Sequence, residues 1–231
     1  MSLDRIAVSA DVHALRPDFA VVAIAVRGAG NGPGDAGSEA WLRDAEARAA
    51  AATTLPDHVV AWQDAYRAFG AKPQRTASSV EALWKRARSG RLPRVNRLVD
   101  LYNAVSVRHA LPVGGEDLAA YVGPIRLVRA TGQEPFDTTA SGTAVIEHPE
   151  PGEVVWLDDR GVTCRRWNWR QCTRTRLTDA STDVLFLLER LAPLPLDDLE
   201  RAADALVEAV LARDPAATVE RRRLGPAEPR P

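Results

Sequence analysis

Two groups of polar side chains in this chain have the types and spacing to do chemistry. The first is the run Trp167-Asn168-Trp169-Arg170-Gln171, in which flat apolar rings alternate with amide and guanidinium donors. On a strand, Trp167, Trp169 and Gln171 face one way and Asn168 and Arg170 the other, which makes a pocket wall suited to an amino-acid or nucleotide ligand. Arg165, Arg166, Arg174 and Arg176 raise the local positive charge and favour an anionic partner, RNA included. The second group is Asn96, Asp100 and Asn103, which recur at helical spacing beside an apolar stripe of Val95, Leu98, Val99 and Tyr102. A polar line bordering a buried face needs partners, because an unpaired buried amide costs about 1–3 kcal/mol. It either ties the helix to a loop or lines a pocket.

Other chemistries fit poorly. Ser78, Ser79 and Ser106 have no His–Asp partnership, and the carboxylate pairs Asp158-Asp159 and Asp197-Asp198 fall in a turn and at a helix start. His13, His58, His109 and His148 are scattered without ligand spacing, and Cys164 and Cys172 read as reduced thiols, so no metal and no cofactor is expected. Gly32, Gly34 and Gly37 match a dinucleotide-binding spacing, but Pro33 interrupts it and the strand before it ends too early. A surface loop explains the same glycines.

The elements that must position these residues are legible. Residues 19–26 form an unbroken apolar run, the mark of a strand buried on both faces at the centre of a sheet. Helices are expected over 38–52, over 57–69 with Val59, Trp62, Tyr66 and Phe69 inward, and after a capping box of Ser78 and Glu81. In that third helix Val80, Leu83, Trp84 and Ala87 make the buried stripe and Gly90 ends it, while Lys85, Arg86 and Arg88, with Lys72 and Arg75 just ahead, form a basic outer face. That face is either plain solvated surface or a phosphate-binding patch. Strands follow at 121–130, 142–148, 152–159, 161–169 and 183–191, with a hairpin turn at 158–161. A helix over 197–213 precedes a Pro- and Arg-rich tail, 214–231, expected to fray. Helices and strands are largely segregated, so the class is α+β: a single domain over 1–213 with a helical layer on antiparallel or mixed sheets.

With 30 Lys and Arg against 31 Asp and Glu, no overall field draws the chain to nucleic acid or membrane, so any such partner must meet a local patch. The lack of an 18-residue apolar run and of a basic-then-apolar leader makes a cytoplasmic protein with no membrane partner the expectation.

On these residues the chain resembles the B3/B4 domain of the phenylalanyl-tRNA synthetase beta subunit, standing without the synthetase body. The resemblance runs from 57 to 193 and rests on Ser78-Ser79-Val80-Glu81-Ala82-Leu83, Asn96-Arg97-Leu98-Val99-Asp100-Leu101-Tyr102-Asn103, Leu111-Pro112-Val113 leading to Asp117-Leu118, and Gly152-Glu153-Val154-Val155 followed by the Trp167–Gln171 run. The Asn-x-x-Val-Asp-x-x-Asn pattern is its specific part.

The resemblance implies a sandwich of unusual topology and a pocket for the aminoacyl group at the 3′ end of a tRNA. It implies hydrolysis of mischarged aminoacyl-tRNA in trans, by positioning water without a protein nucleophile. By position Asn103 matches an asparagine of the synthetase editing pocket. Trp169 and Arg170 replace a glycine-rich loop and make the pocket smaller, flatter and more cationic, and Glu189 stands where the synthetase has a carboxylate that reads a tyrosine hydroxyl. Asn103 and Arg170 are the expected catalytic pair, Asn96, Asp100, Trp169 and Glu189 bind substrate, and Lys72, Arg75, Lys85, Arg86 and Arg88 hold RNA phosphates; no DNA specificity is expected. The family's Gln-Pro-Leu-His run is here Leu111-Pro112-Val113-Gly114, which removes a histidine that could orient water; His109 lies five residues earlier. The competing readings are a non-catalytic tRNA- or RNA-binding module and an enzyme acting on a free amino-acid derivative.

Overall fold

The structure, a computed structural model, describes residues 2–226. In chain order its first elements are β1 (Ile6–Val8), α1 (Ala10–Leu15), β2 (Ala20–Arg27), α2 (Ala36–Ala51), α3 (Asp57–Ala68), α4 (Ser79–Ala87) and α5 (Arg97–His109). The β-rich half follows as β3 (Val113–Asp117), β4 (Ile125–Arg129), β5 (Phe136–Ala140), β6 (Thr143–Glu147), β7 (Val154–Asp158), β8 (Gly161–Arg165), β9 (Arg170–Gln171) and β10 (Asp183–Arg190). Helix α6 (Leu196–Leu211) and strand β11 (Thr218–Leu224) complete it.

Strand β2 organises the core because it is apolar on both faces. Phe19, Val21, Ala23 and Ala25 pack on one side with α3 and the strands β4, β7 and β8, while Ala20, Val22, Ile24 and Val26 pack on the other with α5 and α6. β10 does the same with Leu185 and Leu187 against Val184, Phe186 and Leu188. The antiparallel sheet β11-β2-β10-β3 is therefore the middle layer, between helices and the five-stranded sheet β1-β4-β7-β8-β9. That second sheet is mixed, with β1 parallel to β4, and the β5–β6 hairpin stands apart as a two-stranded ribbon. The class is α+β, as the segregated elements imply.

Several expectations need correction. The segment expected to fray contains β11, which pairs along β2 and sends Arg222 to the carbonyls of Leu3 and Ile6; the last five residues of that tail, 227–231, lie outside the described residues. Charged residues suit it because it is an edge strand, where only one side needs a neighbour. Val95 is no part of the apolar stripe: α5 begins after Asn96, and Val95 is 58% exposed. The capping box of α4 is half formed, since Ser78 Oγ accepts from the Glu81 N–H while the Glu81 carboxylate turns to Lys85. Residues 161–169 are not one strand, because β8 stops at Arg165.

Candidate functional site

The turn after β8 is where the sequence reading and the structure part most sharply. Arg166 and Trp167 both adopt left-handed backbone, with φ of 47° and 68°, a region that bulky residues rarely enter. The turn is held by Trp167 N–H on the Val154 carbonyl at 2.6 Å and Trp169 N–H on the Arg165 carbonyl at 3.0 Å. Trp167 drops into the core against Phe19 and Trp62, with ring centroids 5.0 and 5.4 Å away. Strict alternation is lost, and Asn168, Trp169, Arg170 and Gln171 all border one cavity.

That cavity measures about 190 Å³ and lies where the two large sheets splay apart. β3 and β10 contribute Val113, Gly114, Glu116, Leu187 and Glu189; β7 and β8 contribute Trp156 and Cys164; Ser79 and Leu83 of α4 with Tyr102 and Asn103 of α5 close the remaining side. A cavity of roughly 150 Å³ is enough for a benzene ring, so an amino-acid side chain fits here.

Its polar groups are arranged differently from one another. Glu189 is 2% exposed, and its two oxygens accept from Trp156 Nε1 and Asn168 Nδ2, each at 2.7 Å. Burial pushes its carboxyl up to about 8, with those two hydrogen bonds opposing, so it is mostly protonated at neutral pH. Asn168 in turn accepts from the Tyr66 hydroxyl at 3.0 Å. Glu116 is also buried, is bonded to Tyr121, and is raised by desolvation. Asn103 is 7% exposed, and its amide has no hydrogen-bond partner among the described residues. Such a group is stable only if water or a ligand pairs with it.

Arg170 borders the cavity but is not a free cation. Its guanidinium pairs with Glu147 at the end of β6 and lies 4.8 Å over the Trp169 ring and 5.1 Å over Phe136. The expectation of a more cationic wall is therefore offset by a carboxylate from the β5–β6 hairpin.

Four residues expected to act together, Asn103, Trp169, Arg170 and Glu189, do share this cavity. Asn96 and Asp100 do not border it. Asn96 caps α5, accepting from Val99 N–H at 3.0 Å and donating to the Leu177 carbonyl, and Asp100 accepts from Val95 N–H at 2.8 Å. Both tie the helix to its neighbouring loops. Lys72, Arg75, Lys85, Arg86 and Arg88 are exposed, and α4 links the last three to the cavity through Ser79 and Leu83. Gly114 borders the cavity with open space where a side chain would begin, and His109 is not on its wall.

Tyr66 and Glu147 were missed, and Asn168 was expected only as one of several donors on a pocket wall. Asn168 carried a signal, its place between two tryptophans, whereas nothing local marks Glu147. Cys164 borders the cavity, but burial drives its thiol well above the ordinary range, which makes it a poor nucleophile. Among the described residues no group of His, Cys, Asp and Glu is placed to hold a metal, and no helix is long and apolar enough to cross a membrane.

Fold and site together define an α+β protein with a small cavity half open to solvent, largely apolar in its walls and carrying amide and carboxyl groups. Residues 61–207 match the B3/4 domain family. The chain belongs to that family. No curated protein matches the sequence. Among solved structures it is similar to an N-terminal fragment of the phenylalanyl-tRNA synthetase beta-subunit from Pyrococcus horikoshii, with 13% identity and a TM-score of 0.47, covering 93% of this chain and 49% of that one. The chain thus spans about half the length of that fragment.

Proposed function

We propose that this protein binds the aminoacylated 3′ end of a tRNA and hydrolyses the ester of a mischarged aminoacyl-tRNA in trans, in the cytoplasm. The observation that carries this reading is the partnerless Asn103 amide in the same side-chain-sized cavity as the Glu189 carboxyl. Membership of the B3/4 family supports tRNA as the partner.

In this reading the amino-acid side chain enters between Tyr102, Leu187 and Trp156, and its polar end meets Glu189. Asn103 holds a water against the ester carbonyl carbon. Attack by the water oxygen and collapse of the tetrahedral intermediate expel the ribose oxygen, which leaves with a proton from that water, giving free amino acid and intact tRNA. Arg170 N–H groups face developing negative charge. Phosphates of the acceptor end lie along Lys85, Arg86 and Arg88, with Lys72 and Arg75 nearby.

The test is a panel of mischarged tRNAs incubated with purified protein, following release of the amino acid. Accelerated hydrolysis of some members, abolished by Asn103→Ala with tRNA affinity kept within about threefold, supports the reading. Binding of tRNA with no turnover on any member would leave a non-catalytic RNA-binding module in its place.

A further inference from the structure

Arg170 is the single cationic side chain among the described residues of the cavity wall, and Glu147 cancels it. Glu147 comes from the separate β5–β6 ribbon and reaches Arg165 as well, at 3.0 Å. Arg165 does not depend on it, because Glu153 already holds that guanidinium through two bonds of 2.8 and 2.9 Å. The fold therefore has a carboxylate in excess of what Arg165 needs, placed against the cavity's cation. The unmatched positive charge of this network falls on Arg166, which pairs with Glu153 at 3.5 Å and with Thr76 and does not border the cavity.

We propose that Glu147 is a specificity-determining residue of the cavity: by neutralising Arg170 it makes the site accept an amino acid as a neutral ester and reject the same amino acid as a free carboxylate. This rests on the aminoacyl reading above. A carboxylate entering a cavity without an unpaired cation loses its hydration and gains no counter-charge, whereas an ester has little hydration to lose. Below the pKa of the ester's amine, the weaker base of the two, the α-ammonium is common to both ligands and drops out of the comparison. Glu116 and Glu189, the other ionisable carboxyls of the wall, are both held towards their neutral forms by burial, so the wall as a whole is nearly uncharged. For a deacylase this arrangement keeps the pool of free amino acids, and the product itself, from occupying the site.

The test uses the full chain at pH 6, where both ligands carry the α-ammonium, titrated calorimetrically with the methyl esters of tyrosine, phenylalanine and alanine and with the corresponding free amino acids. Wild type is expected to bind the best ester at least about tenfold more tightly than its acid, and Glu147→Gln to narrow that ratio about tenfold by tightening the acid alone. Adding Arg170→Gln to Glu147→Gln removes the uncovered cation and reverses the gain. Equal binding of acid and ester by wild type, an unchanged ratio in Glu147→Gln, a gain that persists in the double variant, or no binding of any ester would each overturn the proposal. Lack of turnover on tRNA, with the ester preference present, would instead sink only the deacylase reading.

Discussion

Asn168 Nδ2 donates to Glu189 Oε2 at 2.7 Å, and the oxygen of the same amide accepts from the Tyr66 hydroxyl, so the orientation of Asn168 is fixed from both ends. Trp156 Nε1 supplies the second donor to Glu189. A carboxyl suits this position in either protonation state because each of its oxygens keeps a lone pair for one donor. A glutamine amide offers only one such oxygen.

The first prediction follows from that pairing. Folding holds a proton on Glu189 up to about pH 8, whereas the unfolded chain releases it in the ordinary carboxylate range. Between those limits the folded state binds the extra proton, so stability from this group is full at low pH, falls as pH rises towards 8, and levels off above it. The decline is on the order of a few kcal/mol. Glu189→Gln is expected to flatten this part of the profile while lowering stability at pH 5 by about 1–3 kcal/mol, from the donor left unpaired. Urea unfolding of both proteins at pH 5, 7 and 9 measures it; an equal slope in both would refute it.

Two asparagines of one helix should behave oppositely. Asn96→Ala removes the cap of α5 and a bond to the Leu177 carbonyl, and is expected to cost about 1–2 kcal/mol. Asn103→Ala breaks no hydrogen bond among the described residues, so its cost should stay under about 1 kcal/mol while hydrolysis is lost. Thermal melts together with release of amino acid from a mischarged tRNA distinguish the two.

Asp158 is a structural charge. Its side chain is fully buried, accepts from the Val122, Arg160 and Gly161 N–H groups, and pairs twice with Arg174 at 2.9 Å. Asp158→Ala strands a guanidinium that is only 10% exposed and is expected to cost about 3–5 kcal/mol in chemical denaturation.

Gly115 sets the shape of the cavity through its neighbour. A Cβ there would sit 2.7 Å from Tyr102 Cε1, and Tyr102 borders the cavity. Gly115→Ala is expected to cost about 1–3 kcal/mol and to weaken ester binding as the ring is displaced. Unchanged binding with unchanged stability would show that Tyr102 can yield freely.

Much of the architecture is written in local pattern. The apolar run of β2, the inward face of α3 and the capped start of α4 each follow from spacing that a few neighbouring residues define. The convergence of Asn103, Trp169, Arg170 and Glu189 on one cavity was legible only through the resemblance, because the residues lie on three separate segments. Arg166 and Trp167 gave no warning of their left-handed turn, since neither is the glycine or asparagine that usually marks one. β11 was hidden for a related reason: Glu220 and three arginines read as solvent-facing tail until an edge position makes them acceptable.

The amino-acid sequence by itself determined most of the helices and strands and the side chains that could bind, because periodicity and side-chain chemistry are local properties. Tertiary structure alone decided that Asn103 would be left without a partner, that Asn96 would be spent on a cap, and that Glu147 would reach Arg170 from a remote hairpin. Those outcomes depend on which groups meet across the splayed sheets, and burial there sets both the charge of Glu189 and the worth of every hydrogen bond around it.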